Sequence, residues 1–205
     1  MQNNKGLTDE KKNANYVLWI DYLKKYDCYT DELIEKYGEK IKNGSYSMTE
    51  DNGGCGEGTL LDTVLKTLCV IATHINEEAF GLNKNEKYKH KHLYVDKNSL
   101  MKVLLIQHIS KCELFVPSTE SWKLSKGFLY SFNDNIETAL KLGERSIYMA
   151  MNCGVRFTEE EYEAVKILDK DDDKPNSFLS PLAQLVKTAN QLTAIENYRK
   201  YKEKK

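Results

Sequence analysis

Apolar positions recur at helical spacing along most of the chain, most densely in Asn98–Cys112, NSLMKVLLIQHISKC. Leu100, Val103, Leu104 and Gln107 fall on one side of such a helix, with Met101, Leu105, His108 and Cys112 beside them. So broad an apolar face predicts a helix packed on most sides, the central rod of a helical domain. Gln107 and His108 interrupt that face. A buried polar group without a hydrogen-bond partner costs roughly 1–3 kcal/mol, so the fold should bring partners to both.

The same spacing predicts a helix over Ala14–Tyr26, with Val17, Leu18, Ile20 and Leu23 inward, after a frayed leader. Thr30 is placed to cap a second helix reaching about Lys42, with Asp31 and Glu32 where the helix dipole favours negative charge. Residues 44–58, with four glycines between 53 and 58, read as a loop. A helix from Thr59 to about Asn76 turns Leu61, Leu65, Leu68, Ile71 and Ala72 inward. Residues 81–97 read as a charged connector. Glu113–Pro117 and Trp122–Ser131 predict a small hairpin or an irregular excursion. Asn133–Asn152 reads as a helix bent near Gly143 and ending at Cys153–Gly154. Thr158 with Glu161 forms a capping box for a helix to about Leu168, followed by an acidic loop, Asp169–Ser177. Ser180 then caps a last helix, with Pro181 at the favoured first position.

Three prolines in 205 residues fit this mostly helical reading. The expected organisation is a leader (1–13), N-terminal helices that complete the core or form an arm (14–50), a main helical domain (51–199) and a basic tail (200–205). A formal net charge of -1 gives no overall positive field for nucleic acid. Only the local patches Lys84–His92 and Tyr198–Lys205 could serve that end. No apolar run approaches the ~20 residues that span a bilayer, and the N-terminus lacks a signal peptide's apolar core. Cys28, Cys55, Cys69, Cys112 and Cys153 include no CxxC pair, which points to free thiols in a reducing, cytoplasmic setting. Asp169–Lys174 lacks EF-hand spacing, and no GK[ST] follows the glycines of 53–58.

Four segments carry a further signal: Gly56–Val64 (GEGTLLDTV), Leu105–Lys111 (LIQHISK), Leu142–Ser146 (LGERS) and Pro181–Asn190 (PLAQLVKTAN). In order and spacing the chain resembles the HD-domain superfamily of metal-dependent phosphohydrolases, especially its small bacterial and phage members. The resemblance covers about residues 50–196. It implies an all-α, single HD-like domain of about six to eight helices. In that family a His of the first motif, the adjacent His-Asp pair and an Asp of the last helix hold a divalent cation. The cation acidifies a water and polarises a phosphoryl oxygen. Carried across position by position, those ligands fall on Thr63, Gln107-His108 and Asn190. The third motif's His falls on Leu142, and a further His lands near Leu168.

The resemblance therefore implies a pseudoenzyme with no metal, no cofactor and no catalytic residue, in which Thr63, Gln107, His108 and Asn190 form a hydrogen-bonded polar cluster. Such a chain would act as a structural subunit, as a homo-oligomer or with other assembly subunits. A phage virion or head–tail connector component is the specific expectation, placing the chain in the virion if phage-encoded. Phe115, Trp122, Phe128 and Tyr130 are the candidate contacts. The alternatives are a phosphohydrolase with a rearranged site at His108, and a regulatory or inhibitory nucleotide-binding protein.

Overall fold

An oxygen-bearing side chain starts most of the long helices. Thr8 accepts from Lys11 N, Thr30 from Leu33 N, Asp96 from Ser99 N, Thr158 from Glu161 N and Ser180 from Ala183 N. Each satisfies one of the amides that a helix leaves unpaired at its start. The computed structural model describes residues 6–50, 54–74, 95–169 and 179–203. Its helices are α1 (Asp9–Lys25), α2 (Asp31–Asn43), α3 (Thr59–His74), α4 (Lys97–Ile106), α5 (Lys111–Leu114), α6 (Ser121–Ser125), α7 (Leu142–Asn152), α8 (Glu159–Lys166) and α9 (Pro181–Lys202). A short antiparallel hairpin pairs β1 (Phe115–Pro117) with β2 (Tyr130–Phe132), Val116 opposite Ser131. The all-α class with a small hairpin is the observed one. Among the described residues no helix is long and apolar enough to cross a membrane.

The core is one cluster drawn from both ends of the chain. Trp19, Leu23, Leu33 and Ile41 from α1 and α2 are fully buried with Leu60, Leu100, Leu104 and Leu105. Trp19 Nε1 donates to the Leu105 carbonyl at 3.3 Å, so the N-terminal helices complete this core. α9 lies along α8 and α3. A partly buried ion pair, Lys102 to Glu161 at 2.8 Å, joins α4 to α8.

Several expectations are corrected. α1 begins at Asp9, inside the supposed leader, and Lys12 is buried, with Nζ 2.7 Å from Glu57. Its inward stripe is Lys12, Trp19, Leu23 and Tyr26; Val17 and Leu18 are exposed. The indole sets the face, and residues off its stripe turn outward whatever their polarity.

The central rod stops at Ile106. Ser146 of α7 donates its hydroxyl to the Gln107 carbonyl at 2.9 Å, and that hydroxyl accepts from Ser110 N at 3.2 Å. Lys111 N bonds the His108 carbonyl instead of that of Gln107, and Ile109 N bonds Ile106, so the chain tightens to three-residue spacing.

α7 starts at Leu142, not near Asn133. The Asp169 carboxylate accepts from Gly143 N at 2.7 Å and from Glu144 N at 2.9 Å, fixing the helix start. A Cβ on Gly143 would lie 2.6 Å from the Val165 carbonyl, so this approach needs glycine. Asp169 closes a short 3-10 turn, Ile167–Asp169, and is no solvated loop residue.

The patch Lys84–His92, the connector up to residue 94, Gly53, residues 170–177 of the acidic loop and residues 1–5 and 204–205 lie outside the described residues.

Candidate functional site

α3, the turn after α4, α9 and the loop before α3 meet at the positions singled out in the sequence. Gln107 Nε2 donates to Asn190 Oδ1 at 3.1 Å, and Asn190 Nδ2 donates to Gln107 Oε1 at 2.9 Å. The two amides thus satisfy each other. His108 turns elsewhere: its Nε2 lies 3.3 Å from the Tyr46 hydroxyl, with the rings edge-on at 4.9 Å. His108 Nδ1 and the Thr63 hydroxyl are buried with no hydrogen-bond partner. The expected polar cluster is therefore an amide pair and a separate His–Tyr pair, with Thr63 beside them. Gly54, at φ +68°, closes over Thr63; a Cβ there would sit 2.8 Å from the Thr63 hydroxyl.

Electrostatics follow burial. Burial, reinforced by the Lys111 charge, holds the His108 imidazole well below its ordinary pKa despite an opposing pull from Asn190. Burial raises the Tyr46 phenol to about 12 and lowers the Lys111 ammonium to about 7. Asp62, next to Thr63, faces Lys11 at 3.1 Å and Lys66 at 2.5 Å. Burial opposes its ionisation, but those two ammonium groups outweigh it and hold the carboxyl below its usual range.

A catalytic divalent ion usually has at least three protein ligands. Here one imidazole faces a phenol and two amides are spent on each other, so these residues do not fit such an ion. Among the described residues no group of three His, Cys, Asp or Glu side chains is placed to hold a metal. No disulfide joins any of the five cysteines, and burial pushes the Cys28 thiol up to about 12. Leu142 stands apart, contributing its carbonyl to the Ser110 hydroxyl at 2.8 Å. Leu168 lies in the 3-10 turn.

The aromatic contact candidates divide. Trp122 and Phe128 are exposed, and Phe115 is half-buried against Phe132 with centroids 5.6 Å apart. Tyr130 is buried, its amide donates to the Met48 carbonyl, and it meets the surface only as part of the lining of the hollow under the hairpin.

Beside the polar cluster runs a groove of about 690 Å³ between residues 46–49, β1 and the last turns of α9, lined by Tyr46, Met48, Lys111, Phe115, Phe128 and Ile195. It adjoins a hollow of about 280 Å³ under the hairpin, lined by Met48, Phe128, Trp122 and Phe132. Sequence reasoning missed Ile195 and took its neighbour Tyr198 only as the start of the basic patch Tyr198–Lys205. Their signal was an apolar pair off the buried stripe of Ala189, Thr193 and Asn197 on α9.

No family model, no curated protein and no solved structure matches this chain.

Proposed function

We propose that this protein is a non-catalytic, HD-like helical scaffold that works through its surfaces as a subunit of an oligomeric assembly. The observation that carries this reading is the Gln107–Asn190 pair. The two amides hold each other at two of the positions where the resemblance puts metal ligands, and the one imidazole left there, His108, faces a phenol. Exposed Trp122, Phe128, Phe132, Ile195 and Tyr198 on one side of the molecule supply contact area of the kind found at interface cores. The resemblance to phage-type members makes a virion component the specific form of the proposal.

Sedimentation velocity and native mass measurement on freshly purified protein test it. A defined oligomer or stable complex is expected; a monomer at high concentration with no co-purifying partner would overturn it. Stoichiometric bound divalent metal, with phosphatase activity lost in His108→Ala, would favour the phosphohydrolase instead.

A further inference from the structure

Lys111 occupies an unusual place. It is more than nine-tenths buried, yet lines the floor of the groove between the hairpin and α9. Its ammonium donates to the Tyr46 carbonyl at 2.9 Å and sits 3.3 Å from the Tyr46 ring centroid and 5.8 Å from that of Phe115. An ammonium has three donors, and one carbonyl uses one of them. Among the described residues no carboxylate lies within ion-pair distance of Lys111. A buried cation without a counter-charge is expensive, and a methionine would fill the same space without that penalty. The fold asks of this amine only the bond to the Tyr46 carbonyl, and its charge is otherwise unmet.

The surroundings say what would complete it. The walls are mostly apolar or aromatic, with Ser47 and Thr49 in the groove and Lys123, Ser131 and Asp134 at the hollow under the hairpin, and the outer ones are open: Ile195 is 63% and Trp122 54% exposed. Small-molecule sites enclose most of their ligand, whereas this run of two adjoining hollows is a trough with anchor-sized pockets. Met48 and Phe128 line both hollows, so one extended occupant could seat side chains in each.

We infer that the groove receives an apolar segment of a partner protein that carries one Asp or Glu, whose carboxylate pairs with the Lys111 ammonium. The inference rests on the scaffold reading and names the chemistry of the partner. Aromatic or branched side chains fill the hollows, and the acid supplies the missing charge and selects the register.

The test pans a displayed random-peptide library on the folded protein at mildly acidic pH. Enriched peptides are then measured by titration calorimetry. Winners should combine aromatic or branched residues with one acidic residue, and replacing that acid by its amide should weaken binding by about tenfold or more. Lys111→Met should bind the acid and amide forms alike, and Ile195→Asp should bind neither. Circular dichroism and thermal unfolding verify that both variants fold. Winners without an acid, an acid whose amide binds equally well, undiminished discrimination in Lys111→Met, or no winners would each overturn the inference. The scaffold reading fails instead on the mass of the free protein, so the two failures are distinguishable.

Discussion

Gln107 and Asn190 exchange two hydrogen bonds, at 3.1 and 2.9 Å, although 83 residues separate them in the chain. Asn190→Ala strands the fully buried Gln107 amide, and Gln107→Ala leaves the half-buried Asn190 without its partner. Gln107→Ala or Asn190→Ala should each destabilise by roughly 1–3 kcal/mol. Gln107→Met with Asn190→Leu should cost much less than the sum of the two truncations, because no amide is then left unpaired. Urea unfolding of the single and double variants measures the difference.

Stability should rise with pH from mildly acidic to mildly alkaline conditions. His108, held well below 6.5 in the fold, binds a proton more readily when unfolded, so stability falls as pH drops through 6.5. Lys111, at about 7 in the fold against 10.5 ordinarily, likewise binds its proton more readily when unfolded. Its contribution is least favourable below 7 and recovers between 7 and 10.5. The groups facing Lys111 are His108, neutral over this range, and Tyr46, whose phenol stays protonated. Lys111→Met should flatten the alkaline part of the profile and stabilise the protein at pH 6 by about 1 kcal/mol or more. Thermal unfolding across pH reads both effects.

Asp169 caps α7 from a turn that follows α8. Asp169→Ala should cost about 1–2 kcal/mol and release the first turn of α7. Hydrogen exchange should locate the loss at the Gly143 and Glu144 amides; unchanged protection there would contradict the capping role.

Trp122 and Ile195 stand on the exposed apolar side, away from the core. Trp122→Ala and Ile195→Ser should leave monomer stability within ~0.5 kcal/mol, as surface changes do, while loosening the assembly. Sedimentation at matched concentrations, with urea unfolding alongside, separates the two effects.

Local chemistry was legible in the sequence wherever the deciding atoms lie close along the chain. Thr30, Thr158 with Glu161, and Ser180 with Pro181 fixed three helix starts because a cap acts over three residues. The hairpin was legible only in outline, because residues 122–125 of the expected second strand lie in α6 and the pairing joins residues 13 to 17 positions apart. The end of α4 was not, because Ser146, which takes the Gln107 carbonyl, lies 39 residues further on. Residues 133–141 carry helix-compatible side chains, but Arg145 binds Thr138 through its carbonyl and hydroxyl, a tertiary preference no periodicity reveals. At the site, the resemblance grouped Thr63, Gln107, His108 and Asn190, and the Gln107–Asn190 bonds bring two of them together. It could not say that His108 would choose Tyr46, because that partner arrives on a loop whose path depends on glycine conformation.

The chain's two tryptophans sit at opposite extremes, Trp19 at 0% exposure with its N–H on the Leu105 carbonyl and Trp122 at 54% in the hairpin excursion. Their emission should therefore separate into a blue component that a soluble quencher such as iodide cannot reach and a red one that it extinguishes. One cuvette then carries two reporters: the shielded indole follows the integrity of the core, and the open one registers whatever settles on the hairpin.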